Sequence, residues 1–320
     1  MQDAMDEVMG GCASDVLLAA FLVGLRVKGE TAEEIEGAVS AMRKRALTID
    51  LKATRIMDTC GTGGDGAGTF NISTAVAFVC AEAGVTVAKH GNRAISSKVG
   101  SADVLEALGV NLELSPNDVA HCIDELGIGF MYAPHHHGAL RHAGKVRREL
   151  GFRTLLNLLG PMTNPASATH QLVGIFDPTR VLVMAQVLGK LGAKRAMVVH
   201  GCDGLDEITL SGSTHAALWD GKEVQELHIH PSDFGIESAD ASTLAGGDAE
   251  HNAAIIRDVL QGQRGPCSDI VRLNAGAALW VAEAATSLEM GVEKATNLLE
   301  SGAAMTRLEA LISRSQALAS

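Results

Sequence analysis

Aromatic residues are scarce in this 320-residue chain: they make up 3%, with a single tyrosine. That is too few rings for a platform on which single-stranded nucleic acid would stack. Positive charge is also short, with 26 Lys and Arg against 38 Asp and Glu and a formal net charge of −12. A nucleic-acid protein would carry a basic footprint, so no nucleic-acid partner is expected. The six cysteines (12, 60, 80, 122, 202 and 267) are scattered, with no CxxC pair. This excludes a disulfide framework and points to free thiols in a reducing compartment, the cytoplasm. Long apolar runs are missing too. Val16 to Leu25 is far too short to span a bilayer, and the stretch before it is acidic, unlike a signal peptide.

What the chain does have is glycine, 35 residues of it, or about 11% against a usual 7% or so. No Gly-X-Y period or Gly/Ser tract accounts for the excess. It is expected at turns, helix ends and places where backbone approaches a ligand. A chain of this length buries roughly 75% of its unfolded surface and needs no covalent staple.

The first 50 residues read as helical. Ser14 and Asp15 open an apolar stretch ending near Lys28, and Thr31 with Glu34 forms a capping box for a helix running to Arg45. From Arg55 short apolar runs alternate with amphipathic ones. Strands are expected at Arg55–Thr59, Val85–Lys89, Val110–Leu114, Ile128–Tyr132, His170–Phe176 and Arg195–His200. Helices are expected at Ser73–Ala83, Ala102–Leu108, Pro116–Leu126 and Pro178–Leu191, and a hairpin around Asp220-Gly221. Gly84, Gly109, Gly127 and Gly192 close helices. The tail from Asp248 is mostly helical. The fold class is therefore α/β: a small all-helical N-terminal domain, residues 1–50, and a large α/β domain, residues 51–320, with a central, mainly parallel sheet flanked by helices. A mid-chain helical segment, residues 137–165, is expected to pack on the small domain.

Ligands in such sheets sit beyond the carboxyl ends of the strands. The loop Asp58-Thr-Cys-Gly-Thr-Gly-Gly-Asp-Gly-Ala-Gly-Thr-Phe-Asn-Ile-Ser-Thr74 leaves one such end and enters a helix, with glycines at 61, 63, 64, 66 and 68. Glycines let amide groups approach a phosphate, and the helix N-terminus favours the same charge. Asn71, Ser73 and Thr74 add donors. Gly61, Gly63 and Gly66 satisfy GxGxxG, but the acidic residue about 20 positions on is Glu82, inside a predicted helix, so a dinucleotide fold fits poorly. Thr69-Phe70 stands where a Walker A loop needs Lys-Ser/Thr. Asp65 is unusual in an anion cradle and points to a hydroxyl, an amine or a phosphate-bound cation.

A second loop, Lys89 to Ser101, carries Lys89, Arg93 and Lys98 with Ser96, Ser97 and Ser101, an inventory of cations and hydroxyls suited to an anion. Two such loops imply a ligand with more than one phosphate. A third strand end leads to Asp206 and Glu207, a carboxylate pair that beside a polyphosphate suits Mg²⁺. Asp203 is a weaker candidate. His135-His136-His137 looks like a metal cluster, but consecutive residues point different ways, so a loop with one substrate-facing histidine is expected. Arg147 and Arg148 either grip a carboxylate or lie at the surface.

The strings DTCGTGGDGAGTFNIST, KHGNRAISSKVGSADVLEALGV, VRRELG, NLLGPMTNPA and GLDEIT, taken in order, resemble the anthranilate phosphoribosyltransferase family. The resemblance runs from about Leu17 to the C-terminus. It implies Mg²⁺-dependent transfer of a phosphoribosyl group from phosphoribosyl pyrophosphate to anthranilate, in tryptophan biosynthesis. It implies two Mg²⁺ ions per subunit, served by Ser73, Asp206 and Glu207. Phosphoribosyl pyrophosphate would be bound by Gly61, Gly64, Asp65, Thr69, Asn71, Ile72, Ser73, Thr74, Lys89, His90, Gly91, Asn92, Arg93, Ser96, Ser97 and Ser101. Gly61, Asn92, His137, Arg147 and Pro161 would meet anthranilate, with Arg147 on its carboxylate. Asp65, Lys89 and Arg147 carry the catalytic roles. The family also implies a homodimer through the helical domain, and a longer segment ahead of Leu17 than is seen here. Pyrimidine nucleoside phosphorylases share the fold but have no need of the Asp206–Glu207 pair.

Overall fold

The computed structural model describes residues 1–94 and 99–318. Three helices come first: α1 (Gln2–Met9), α2 (Asp15–Lys28) and α3 (Ala32–Arg45). Local signals set their starts. The Leu17 amide donates to Ser14 Oγ at 3.3 Å, and both bonds of the Thr31–Glu34 capping box form, at 3.3 and 3.0 Å. Ile35, Ala38, Val39 and Met42 recur at helical spacing and are buried.

Seven strands follow: β1 (Met57–Gly61), β2 (Val87–Gly91), β3 (Ile128–Tyr132), β4 (His170–Gly174), β5 (Arg195–Gly201), β6 (Thr214–Trp219) and β7 (Val224–Ile229). Their order is β3-β2-β1-β4-β5-β6-β7, parallel from β3 to β5, with β6 and β7 antiparallel at the edge. Helix α4 (Ile72–Glu82) links β1 to β2; α5 (Ser101–Leu108) and α6 (Pro116–Leu126) link β2 to β3. Between β3 and β4 lie three short helices, α7 (Ala133–His136), α8 (Gly144–Leu150) and α9 (Leu155–Leu158). Helix α10 (Val181–Lys190) joins β4 to β5. The tail forms α11 (Ala249–Leu260), α12 (Pro266–Val281), α13 (Leu288–Glu300) and α14 (Ala303–Ala317). Among the described residues no helix is long and apolar enough to cross a membrane.

The sheet separates two apolar clusters, and strand alternation shows why. Leu172, Met197 and Val199 point into one with α4, α5 and the tail helices. Their neighbours Val173, Ala196 and Val198 point into the other, with α10, the three N-terminal helices and residues Ala143 to Met162. Polar ties cross the same space. Arg43 Nε donates to Met162 O at 2.7 Å, Lys145 pairs with Asp15 at 2.6 Å, and Arg180 meets the buried Glu30 at 2.7 Å.

Three expectations are corrected. Val110–Leu114 is not a strand. Val110, Leu112 and Leu114 are buried, giving the alternating pattern, but its amides turn elsewhere: Asn111 N to Ser315 Oγ at 3.0 Å and Glu113 N to Asn111 Oδ1 at 2.9 Å. The first two strands each run two residues later than expected, so both end on a glycine. The stretch opening at Pro178 begins as a 3₁₀ turn before α10.

Helices α12 and α13 cross through glycine. A Cβ on Gly276 would lie 2.6 Å from the Val292 amide nitrogen, and one on Gly291 would collide with the Gly276 carbonyl. Gly276→Ala should therefore lower stability by about 1–3 kcal/mol by overpacking, measured by urea denaturation.

Candidate active site

The strand order switches at β1, which has β2 on one side and β4 on the other, the place where a parallel sheet receives a ligand beyond its strand ends. Gly61 closes β1 and is paired in register with Gly174, which closes β4. Both lack room for a side chain. A Cβ on Gly61 would run into the Asp206 carboxylate, and one on Gly174 into the Asp206 carbonyl. The loop carrying Asp206 and Glu207 thus lies directly on the two strand ends.

Beyond Gly61 the chain passes through Gly63, Gly64, Gly66 and Gly68, all with positive φ between 64° and 79°. That backbone suits glycine. Gly63 N donates to Asp206 Oδ2 at 2.8 Å, Asp206 N to Asp65 Oδ2 at 3.4 Å, and Ala67 N to Asp65 Oδ1 at 3.1 Å. Asp65 therefore stands against the acidic loop. The third carboxylate, Glu207, accepts from the Ser73 backbone amide. Burial and the neighbouring Asp65 push Asp206 up to about 7. Burial and Asp206 push Glu207 well above the usual carboxylate range.

Lys89 faces this cluster from β2. It is 3% exposed, and its Nζ donates to Thr59 O and, at 3.3 Å, to Ser73 Oγ. Burial lowers its proton affinity, while the charges of Asp58, Cys60 and Glu207 oppose that effect. Asn71 Oδ1 accepts from Asn252 Nδ2 at 3.1 Å, and Thr69 bridges to Ala245. Ile72 and Thr74 lie in the large core with their amides donated to Phe70 O and Asn71 O.

Gly91 closes β2 under the Ser101 hydroxyl, where a Cβ would collide with Ser101 Oγ. Asn92 Oδ1 accepts from Arg93 N at 2.8 Å, and Asn92 O from Ala102 N at 3.2 Å. Arg93, expected at the anion, is paired here with carboxylates of α5. Its guanidinium is held by Glu106 through two bonds, at 2.7 and 3.1 Å, and by Asp103 at 3.1 Å. Ser96, Ser97 and Lys98 lie outside the described residues.

The histidines diverge. His135 meets Glu113 at 3.4 Å, His136 Nδ1 meets Leu47 O at 2.7 Å, and His137 packs edge-on against His90 with centroids 5.0 Å apart. Burial is the main cause that lowers both rings of the last pair, His137 to about 4, so both are neutral at pH 7. Pro161, in the turn beyond α9, is buried and accepts from Gln171 Nε2 at 2.6 Å. Arg147, on α8, is half-buried, and among the described residues its guanidinium has no hydrogen-bonding or carboxylate partner.

Sequence reasoning gave no role to Gly174, Asp58 or Asn164. Asp58 is fully buried and accepts from His90 N at 3.2 Å and Asn164 Nδ2 at 2.7 Å; Asn164 Nδ2 also donates to Ala88 O at 2.8 Å. This buried polar knot ties the Pro161 segment to β1 and β2. Only the polar residue inside an apolar strand pattern hinted at it.

Residues 53–305 match the glycosyl transferase family a/b domain, and residues 1–46 its helical bundle domain. The chain is 52% identical over 313 residues to an anthranilate phosphoribosyltransferase from Thioalkalivibrio sulfidiphilus, covering 98% of this chain and 93% of the relative. It belongs to the anthranilate phosphoribosyltransferase family. The family enzyme of Thermus thermophilus superposes with a TM-score of 0.94 at 44% identity, covering 98% of this chain and 94% of that one. The Saccharomyces cerevisiae family enzyme has been solved with PRPP and Mg, TM-score 0.86 and 28% identity, and with 4-fluoroanthranilate, TM-score 0.88 and 26% identity. Each covers 99% of this chain and 92% of the yeast chain. Membership makes the protein an enzyme, a glycosyltransferase of the pentosyltransferase kind.

Asp206 titrates from an ordinary 3.8 when unfolded to about 7 when folded. Between those values the folded state keeps a proton that the unfolded state has released, so stability falls as pH rises through the window. In chelator, the melting temperature should decline from about pH 4 to about pH 7, and Asp206→Asn should flatten part of that decline. A pH series of thermal melts measures both.

Proposed function

We propose that this enzyme transfers the phosphoribosyl group of phosphoribosyl pyrophosphate to the amine of anthranilate, giving N-(5-phosphoribosyl)anthranilate and pyrophosphate in tryptophan biosynthesis. The observation that carries the reading is the cluster of Asp65, Asp206 and Glu207 against a glycine cradle at the switch point of the sheet. Three carboxylates with one buried lysine nearby leave negative charge unbalanced, in a place built to receive phosphate. Carboxylate oxygens are the donors that suit Mg²⁺, a cation usually held by one or two carboxylates together with substrate phosphates and water. Asp206, Glu207 and Ser73 are the residues that would hold it, as two ions per subunit. When bound, the metal supplies charge that stabilises the departing pyrophosphate.

The chain's own groups do the rest. Amides of the Gly61–Gly68 loop and the Ser73, Thr69 and Asn71 side chains hold the phosphates, and Lys89 adds a fixed positive charge beside Ser73 Oγ. Gly91, Asn92 and Ser101 carry the adjoining phosphate contacts. The anthranilate amine is a free base at pH 7, so no strong general base is required. Catalysis rests on orientation and leaving-group electrostatics. Arg147, half-buried and without an acceptor among the described residues, is suited to the anthranilate carboxylate. The neutral His137 and Pro161 line the aromatic ring's approach path. The ribose C1 gains positive character as pyrophosphate leaves, and the amine attacks from the opposite face with inversion.

The enzyme works as a cytoplasmic homodimer. In support, α2 leaves Val16, Ala20, Gly24 and Val27 exposed at helical spacing, with Val16 81% and Val27 83% exposed, an apolar stripe that a second copy would cover.

Mixing the protein with anthranilate, phosphoribosyl pyrophosphate and Mg²⁺ should quench anthranilate fluorescence, and omitting Mg²⁺ should stop it. Glu207→Ala should lower turnover on the order of 10²- to 10³-fold. Near-normal turnover at saturating Mg²⁺ would remove Glu207 from this role. Arg147→Ala should mainly raise the Michaelis constant for anthranilate, read from the same assay at varied anthranilate.

A further inference from the structure

The acidic loop is held from behind by a residue that no part of the proposed reaction uses. Asn274 sits in α12, in the run Ile-Val-Arg-Leu-Asn-Ala-Gly-Ala-Ala-Leu, and is 0% exposed. Asparagine is a poor helix former, and an unpaired amide in such a core costs several kcal/mol, roughly 2–7 by transfer scales. Its partners explain its presence. Nδ2 donates to Ile208 O at 2.9 Å and to Ile270 O at 2.9 Å, while Oδ1 accepts from Ile208 N at 2.9 Å. Three of the four bonds an amide can make are formed. Towards Ile208 the side chain behaves as a one-residue antiparallel strand, taking both backbone groups of a single residue. That residue directly follows Glu207.

Other restraints come from within the loop, from the glycine loop and from β6. Leu205 and Ile208, on either side of the acidic pair, are 2% and 0% exposed. Asp203 Oδ2 accepts from Thr209 Oγ1 at 2.7 Å, and its Oδ1 from Leu205 N at 3.3 Å. Thr209 N donates to Thr214 Oγ1 at 3.0 Å. The Asp203 bonds shape the loop from within, whereas Gly63, Asp65 and Thr214 meet it from the glycine loop and from β6. The Asn274 pair is the one among these hydrogen bonds that reaches the loop from a helix. It sets the height of residues 206–207 above the Gly61 and Gly174 strand ends, where Asp206 has no freedom to sink lower.

We infer that Asn274 is a positioning residue of the carboxylate pair: by clamping both backbone groups of Ile208 it holds the Asp206 and Glu207 carboxyl groups close together beside Asp65 before any cation or phosphate arrives. The inference rests on the assignment of Asp206 and Glu207 to metal-assisted pyrophosphate binding. Groups that orient metal ligands from behind matter to affinity, and their loss costs about 10–100-fold.

The test uses Asn274→Ser and Asn274→Ala in the full-length protein. Serine keeps a bond to Ile270 O within the helix and loses both bonds to Ile208, so it preserves the fold better than alanine. In Asn274→Ser, the apparent constant for Mg²⁺ should rise about 10–100-fold, with the Michaelis constant for anthranilate unchanged. Calorimetric titration of Mg²⁺ with pyrophosphate should weaken by the same factor. Hydrogen exchange by mass spectrometry should show faster exchange in peptides covering residues 205–209, and unchanged exchange in β5 and β6. A variant that melts earlier yet keeps Mg²⁺ constants within about twofold of the original would reduce Asn274 to a structural residue and overturn the inference. If the unmodified protein shows no Mg²⁺-dependent loss of anthranilate fluorescence, the assignment of function fails instead. Unchanged exchange at 205–209 in Asn274→Ser overturns the clamp in that case as well.

Discussion

Everything at this strand edge depends on how closely Asp206 is laid over Gly61 and Gly174. Two strand ends, paired in register, have given up their side chains so that a carboxylate loop can sit on them. The close approach brings Asp206 to the Gly63 amide and Asp65 to the Asp206 amide. It also raises the proton affinity of two acids, because they are pressed out of water and against a third. Such an arrangement works against stability in the empty protein. Groups arranged this way are characteristic of functional sites, and binding of positive charge relieves the repulsion.

On the proposed reading, the same constraint would let a chain of net charge −12 hold a polyanion. The attraction would be local. Backbone amides in left-handed glycines, the start of α4 and one desolvated lysine would supply it, and cations at the acidic cluster would change its sign. The Arg93 guanidinium is paired with Asp103 and Glu106, and it staples the second loop to α5.

How far the site was readable follows from the range of its contacts. The glycine loop, Lys89, Ser73 and the pair Asp206–Glu207 were legible because each belongs to a short string whose chemistry is local. The helix caps at Ser14 and Thr31 were legible for the same reason. Gly174 was not, because its need for glycine comes from Asp206, in another loop. The ion pairs of Arg93 were not legible, because its partners lie 10 and 13 residues on, on a helix whose orientation the string does not give. Val110–Leu114 has the alternating burial of a strand but no neighbouring strand to pair with. Alternation reports burial on one side and says nothing about where the backbone bonds go.

Strand β2 explains why two unlike ligands can meet here. Successive residues on a strand face opposite sides of the sheet. Lys89 reaches Ser73 at the start of α4, on the side of the phosphate cradle. His90, the next residue, packs against His137 and gives its amide to Asp58, which is tied through Asn164 to the Pro161 segment. One dipeptide therefore belongs to both sides: a cation under the glycine loop and a neutral ring among buried, uncharged histidines. The two sides converge only past the end of the strand, at Gly91 and Asn92. On the proposed reading, a phosphate-rich donor would lie on the Lys89 side and a flat aromatic acceptor on the His90 side, and the two would meet past the end of β2.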